Sequence, residues 1–225
     1  MHLIFKDLST IDYKKAWNYQ ETLFDETISL KLKIRNNNDY QNIMRHHLLF
    51  CEHPHVYTLG NSGNQSNLLI SNEFLKQIDA TFYKINRGGD ITYHGPGQIV
   101  GYPIFDLEAM KLGIKEYIHL LEESIINTLL ELGLKPTRLE GATGVWIDAN
   151  KTDARKICSI GVRASRFVTM HGFALNVNTN LEYFRHINPC GFIDKGVTSI
   201  KKELCREQNI EEIKDILLKN IKGNF

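Results

Sequence analysis

Lys156-Ile157-Cys158-Ser159-Ile160-Gly161-Val162-Arg163 and His171-Gly172-Phe173-Ala174-Leu175-Asn176-Val177 are two largely apolar runs, with a basic loop around Arg163 and Arg166 between them. Each reads as a strand. Further on, the chain reaches Ile187-Asn188-Pro189-Cys190-Gly191. Pro189 fixes its own φ and biases Asn188 toward extended backbone. Gly191 lets the chain bend away and lets another molecule approach it. A cysteine on such a turn can be presented outward, with backbone N–H groups nearby to hold a developing oxyanion. Lys156 opens the first strand. A positive charge beside a thiol lowers its pKa and raises the fraction of thiolate, the nucleophilic form. Turn chemistry alone leaves two readings of Cys190: a nucleophile, or a small buried residue, as most free cysteines are.

The 225 residues suit one domain spanning 1–225, long enough to bury a sizeable core without disulfides or metals. The formal net charge of +1 gives no general case for nucleic-acid or membrane binding. Cysteines at 51, 158, 190 and 205 show no C-x-x-C spacing, which points to free thiols in a reducing compartment. Leu3-Ile4-Phe5 is too short an apolar run to be a leader. No stretch approaches the ~20 apolar residues of a spanning helix, so the cytoplasm is expected.

Leu3 to Asp7 reads as a strand. From Asp12, the residues Tyr13, Ala16, Trp17, Gln20, Phe24 and Ile28 share one helical face. Asn36 to Asp39 is a polar turn. His46 to Gly60 is β-like, broken at Pro54. Its His46, His47, Cys51, His53 and His55 invite a metal reading, but their spacing fits no zinc signature. The other reading is a strand, a turn and a few half-buried imidazoles, and no metal is expected. Ser71 caps a short helix to Ile78, and Thr81 to Ile85 is a strand. Arg87-Gly88-Gly89-Asp90-Ile91-Thr92-Tyr93-His94 follows, then Gly95-Pro96-Gly97-Gln98, which fits a type II turn joining two strands as a hairpin. Gly88-Gly89 would let a ligand lie against bare backbone, with Arg87 and His94 beside it. A plain Gly-rich hairpin is the competing reading, and neither phosphate-loop motif fits. Ile114 to Leu132 is the clearest helix, closed by Gly133. Gly144 to Ile147 is a strand, and Asn209 caps a last helix from Ile210 to Ile221. No linker or repeat interrupts the chain.

Arg87 to Pro103, Lys156 to Arg163, and His171 to Asn176 followed by Asn188-Pro189-Cys190-Gly191 together resemble the octanoyltransferases of lipoate synthesis. The likeness covers roughly residues 45 to 195. It implies an α/β (α+β) fold, one domain with a mixed sheet flanked by helices, like the biotin and lipoate protein ligases. It implies that Cys190 carries an acyl thioester and that Lys156 activates it. It places Arg87, Gly88, Gly89, Asp90, Ile91, Thr92, Tyr93 and His94, then Ser159-Ile160-Gly161 and Gly172-Phe173-Ala174, around the acyl substrate. Cys158 and Asp90 fall where the family pattern is loose and receive no catalytic role. The implied donor is octanoyl-acyl carrier protein. The implied acceptors are lipoyl domains of 2-oxoacid dehydrogenase complexes and the glycine cleavage H protein. No nucleic acid, membrane or cofactor is implied, because a thioester is already activated.

In that mechanism, N–H groups near Gly172 and Cys190 are candidate oxyanion donors, and a neutral Lys156 takes the proton of the attacking amine. Lys151, Arg155, Arg163, Arg166 and Arg185 are expected to form a basic rim for acidic partners. Three rival readings stand beside this one. They are an ATP-dependent lipoate protein ligase, a Cys-His hydrolase using His94 or His171 as base, and a non-catalytic module that docks acyl carrier protein and lipoyl domains.

Overall fold

Period-two alternation builds the central layer. In the strand Arg45–Glu52, Leu48 and Phe50 join one core cluster while Leu49 and Cys51 join another, because successive side chains point to opposite faces of a sheet. The structure, a computed structural model, describes residues 2–34, 36, 39–188 and 195–225. The Cys190 turn expected from the sequence lies outside the described residues, as does part of the Asn36–Asp39 turn.

In chain order the elements are β1 (His2–Thr10), α1 (Tyr13–Ile34), α2 (Tyr40–Ile43), β2 (Arg45–Glu52), β3 (Val56–Leu59), α3 (Asn72–Gln77), β4 (Thr81–Lys84), β5 (Ile91–His94), β6 (Gln98–Ile104), α4 (Ile114–Glu131), β7 (Pro136–Leu139), β8 (Ala142–Ile147), β9 (Arg155–Ser165), β10 (Val168–Asn176), β11 (Gly196–Val197), α5 (Ile200–Leu204) and α6 (Ile210–Asn224). The large sheet runs β1-β2-β6-β10-β9-β8-β7, with β11 added on β9, and a smaller sheet runs β4-β3-β5. Pairing is antiparallel throughout the large sheet except β1 with β2 and β11 with β9. On one face, α4 and α6 bring Leu121, Ile125 and Leu217 against Leu48, Phe50, Ile99 and Phe173. On the other, α1 brings Ala16, Leu23 and Phe24 against Leu49, Val100 and Tyr102. This is the expected mixed sheet flanked by helices.

The caps read from the sequence form. Ser71 Oγ accepts the Phe74 N–H at 3.3 Å, Asn209 Oδ1 accepts the Glu211 N–H at 3.1 Å, and Gly133 ends α4 with φ +83°. α1 runs to Ile34. Its buried Lys31 reaches Asp106 at 2.8 Å and Glu108 at 2.7 Å, since a buried ammonium needs paired carboxylates.

Two expectations are corrected. The Gly95–Gln98 turn closes, with Gln98 N–H on Gly95 O at 3.2 Å and Gly97 at φ +79°. Its flanking strands nevertheless form no hairpin. β5 pairs with β3 in the small sheet, while β6 lies between β2 and β10. The turn is instead tied to other strand ends: Gly97 N–H donates to Glu52 Oε2 at 2.7 Å, and Gly97 O accepts from Asn178 N–H at 2.8 Å. The second correction is the loop around Arg163 and Arg166. It shrinks to Arg166-Phe167, both at positive φ, a two-residue connection that matches the strand twist. Arg163 sits inside β9, its guanidinium 5.2 Å from the Phe24 ring centre.

Candidate active site

A cleft of about 1030 Å³ runs over β9 and β10. Lys156 and Trp146 lie toward one end of its floor, and Gly161, Gly172 and His171 toward the other. The register sets this span. Trp146 pairs with Lys156 across β8 and β9, whereas Gly161 pairs with Gly172 and Val162 with His171 across β9 and β10. Four residues lie between Lys156 and Gly161 along β9, a span that includes the register shift opposite Val145 and Trp146.

Arg87, Gly88, Gly89, Asp90, Ile91, Thr92, His94, Lys156, Ser159, Ile160, Gly161, Gly172, Phe173 and Ala174 all line the cleft. Tyr93 is placed apart from it. Tyr93 is fully buried in the small sheet's cluster, its hydroxyl 2.7 Å from His55 Nδ1. Cys190 lies outside the described residues, but Asn188 and Lys195, which flank its segment, both line the cleft.

The Arg87–Asp90 loop is held backbone to backbone. Gly88 N–H donates to Val162 O at 2.8 Å, and a Cβ on Gly161 would lie 2.9 Å from Gly88 O. Close approach of loop and strand therefore accounts for these two glycines. Arg87 Nη2 donates to Thr58 O at 2.8 Å and to Thr58 Oγ1 at 3.0 Å. The polar chain continues through His94, with Nε2 at 3.3 Å from Thr58 Oγ1 and Nδ1 at 2.9 Å from Gln98 Oε1. Gln98 Nε2 then donates to Asn176 Oδ1 at 2.8 Å. Burial pushes the His94 pKa down to about 3, so His94 is a neutral link with both nitrogens engaged. It is neither a charged contact nor an available base.

His171 is 2% exposed and sits at φ +58° within β10. Gln20 Oε1 accepts its backbone N–H at 3.0 Å, and its Nε2 lies 2.9 Å from Asn86 Oδ1. Burial, reinforced by Arg87 and Arg163, lowers its pKa to about 3. Gly172 pairs with Gly161, further along β9 from Lys156, so the register spreads the two along the cleft.

Burial raises the thiol pKa of Cys51 and of Cys158 far above the ordinary value, which removes both as nucleophiles at neutral pH. The imidazoles of His46, His53 and His55 have structural partners. His53 lies 2.7 Å from Ile11 O and 2.7 Å from Tyr102 Oη, while His46 Nδ1 accepts the Asp106 N–H at 3.2 Å. His46 and His53 are fully buried rather than half-buried. Among the described residues, no three His, Cys, Asp or Glu side chains converge as a metal site would need.

The basic rim is corrected as well. Lys151 pairs with Asp148 at 2.7 Å, Arg155 with Glu203 at 2.6 Å and Asp148 at 2.8 Å, and Arg185 with Glu182 at 2.9 Å. Three of the five cations are thus locally neutralised by carboxylates that the one-dimensional count ignored.

Asp90, named from the resemblance, has a partner that sequence reading missed, Asn67. Asp90 accepts from Ile91 N–H at 2.6 Å and from Asn67 Nδ2 at 2.7 Å, and Asn67 O in turn accepts the Asn188 N–H at 2.8 Å. Asp90 and Asn67 therefore anchor the segment that leads to Cys190. Trp146 read only as a strand residue and Tyr13 only as core, yet both line the cleft. Nothing local marks them: Trp146 reaches the cleft through its pairing with Lys156 across the sheet, and Tyr13 through the packing of α1 on the small sheet.

The chain matches the family described as lipoyl protein ligase A/B catalytic domain over residues 12–222. It is 57% identical to the octanoyltransferase of Christiangramia forsetii, covering 98% of this chain and 94% of that protein. It is 54% identical to the octanoyltransferase of Bacteroides fragilis, covering 96% and 95%. Its fold matches a bi-partite lipoate protein ligase from Thermoplasma acidophilum, analysed with its E2 lipoyl domain, with a TM-score of 0.72. That match covers 100% of this chain and 84% of the other at 16% identity, which speaks to the fold alone. A lipoyl ligase fold, a lysine-bearing cleft and close octanoyltransferase relatives agree: the chain belongs to the lipoyl protein ligase A/B catalytic domain family, among the octanoyltransferases, acyltransferases of lipoate biosynthesis.

Proposed function

We propose that residues 1–225 act as one catalytic domain that moves an octanoyl group from acyl carrier protein to a lysine of a lipoyl domain, by way of a thioester on Cys190. The acceptors would be the lipoyl domains of 2-oxoacid dehydrogenase complexes and the glycine cleavage H protein, in the cytoplasm. No helix among the described residues is long and apolar enough to cross a membrane. The observation that carries this reading is Lys156 in a cleft whose lining includes Asn188 and Lys195, the residues on either side of the Cys190 segment.

In the first half-reaction the Cys190 thiolate attacks the carrier's thioester carbonyl. A new C–S bond forms, the old one breaks, and the carrier leaves as a thiol after taking a proton. In the second, the acceptor amine attacks the acyl-enzyme, the amide forms and the Cys190 thiol is regenerated. Lys156 as a cation favours the thiolate, and as a neutral amine it takes the acceptor's proton. The acyl chain would lie along β9 toward Gly161 and Phe173. Burying about six methylenes at ~0.8 kcal/mol each contributes roughly 5 kcal/mol to chain selection.

Intact-mass analysis after incubation with octanoyl-acyl carrier protein tests the reading. The octanoyl mass is expected on the peptide that contains Cys190, without ATP, and is expected to vanish in Cys190→Ala. Turnover that survives in Cys190→Ala, or an adduct on the Cys51, Cys158 or Cys205 peptide, would overturn it.

A further inference from the structure

The Lys156 side chain occupies a built slot. Its Nζ lies 4.7 Å from the centre of the Trp146 ring. Trp146 is 2% exposed, and its indole N–H donates to Ala142 O at 3.2 Å, which fixes the plane of the ring. The lysine stem passes bare backbone: a Cβ on Gly144 would lie 3.5 Å from Lys156 Cδ and Cε. Gly144 is held in turn, since its N–H donates to Glu122 Oε1 at 2.9 Å and Glu122 is braced by Arg138 Nε at 2.9 Å.

An aromatic face attracts an ammonium and offers a neutral amine no comparable attraction. A ring at this distance therefore favours the protonated lysine and raises the pH at which it gives up its proton. Resting on the reading of Lys156 as activator and base, we infer that Trp146 is a positioning residue that keeps Lys156 cationic through acylation and sets the pH at which acyl transfer begins. No bond to Trp146 forms or breaks. Above that pH the Lys156 ammonium releases a proton to solvent; in the transfer step the neutral Nζ then takes the acceptor's proton, and the ammonium re-forms over the ring.

Other charges face this slot. Glu122 on α4 lies behind Gly144, with Arg138 on β7 bracing it, and Cys158 follows on β9. Lys195 and Lys202 line the same cleft, and Arg155, paired with Glu203 and Asp148, is the neighbouring residue on β9. All of these stay in place when only the electron density of the ring changes, so a shift on altering the ring belongs to the ring.

The test replaces Trp146 site-specifically with tryptophans carrying one or more ring fluorines, which weaken the negative face while keeping the shape, with Trp146→Phe as a second variant. The two half-reactions are measured by single turnover across pH in each protein. The midpoint of the transfer step is expected to move to lower pH with each added fluorine, by about half a unit or more in total. Acylation is expected to lose rate at its alkaline limb in the same order. A midpoint that depends on Lys156 but does not respond to fluorination would overturn the inference. A wild-type pH profile that Lys156→Met reproduces would instead overturn the underlying role of Lys156, so the two failures are distinguishable.

Discussion

Lys156 illustrates how much one side chain can be asked to do. In the proposed mechanism, acylation calls for a cation beside the thiol, and transfer calls for a base that can receive the acceptor's proton. Lysine can serve both because its pKa responds to its surroundings. Arginine stays protonated and can serve only the first. Lys156→Arg is therefore expected to retain some acylation of Cys190 while transfer to the lipoyl domain fails, and Lys156→Met is expected to impair both. Single-turnover measurement of each half-reaction separates the cases. Transfer at the wild-type rate in Lys156→Arg would leave only the electrostatic role standing. Asp90 shows the opposite kind of contribution. Its carboxylate accepts from Asn67 Nδ2 and the Ile91 N–H, which holds the loop in place.

At the scale of elements, the contact between the Arg87–Asp90 loop and β9 gives the cleft its shape. The Gly88 N–H bond to Val162 O and the bare Gly161 backbone bring the two within direct contact. Gly161→Ala would place a methyl 2.9 Å from Gly88 O, closer than real Cβ atoms tolerate, and backbone yields less readily than a flexible side-chain tip. The loop must then lift away from the strand. The expected cost is about 1–3 kcal/mol in stability, as for other overpacked sites. In the proposed mechanism, displacing this wall of the cleft by even ~1 Å is expected to cost up to about 100-fold in acylation rate. Urea denaturation and single-turnover acylation of the same variant check both numbers, and an unaltered acylation rate would show that the loop position does not matter. The same elements show where sequence patterns mislead. The type II turn at Gly95–Gln98 was legible from its Pro and Gly, but the strands it joins were assigned to one hairpin. In the fold they belong to two sheets, because β2 and β10 occupy both edges of β6 and β3 pairs with β5.

Across the whole molecule, four buried histidines tie stability to pH. Burial lowers the pKa of His46 and His53 to about 4 and of His94 and His171 to about 3. In the unfolded chain each would titrate near ~6.5. As pH falls below that value the unfolded state binds protons that the folded state refuses. The stability is therefore fully present above pH ~6.5 and is lost as pH drops toward the folded values, at about 2 kcal/mol per histidine by pH 5. Urea midpoints are expected to fall steeply between pH 7.5 and 5, and equal midpoints would contradict the burial assigned to these rings. The same rings show what the chain announced by itself. Periodicity and capping residues placed most of the larger helices and strands, because spacing of apolar side chains and local hydrogen bonds act within a few residues. The motifs around Arg87, Lys156 and Gly172 announced the cleft, since those residue types carry their chemistry wherever the fold puts them. Only the tertiary structure assigned partners across long separations. It paired Arg155 with Glu203, which removes part of the expected basic rim. It joined Asn67 to Asn188 and set Trp146 against Lys156. These outcomes depend on sheet register and on which charges meet after folding, and neither is encoded within a short window of sequence.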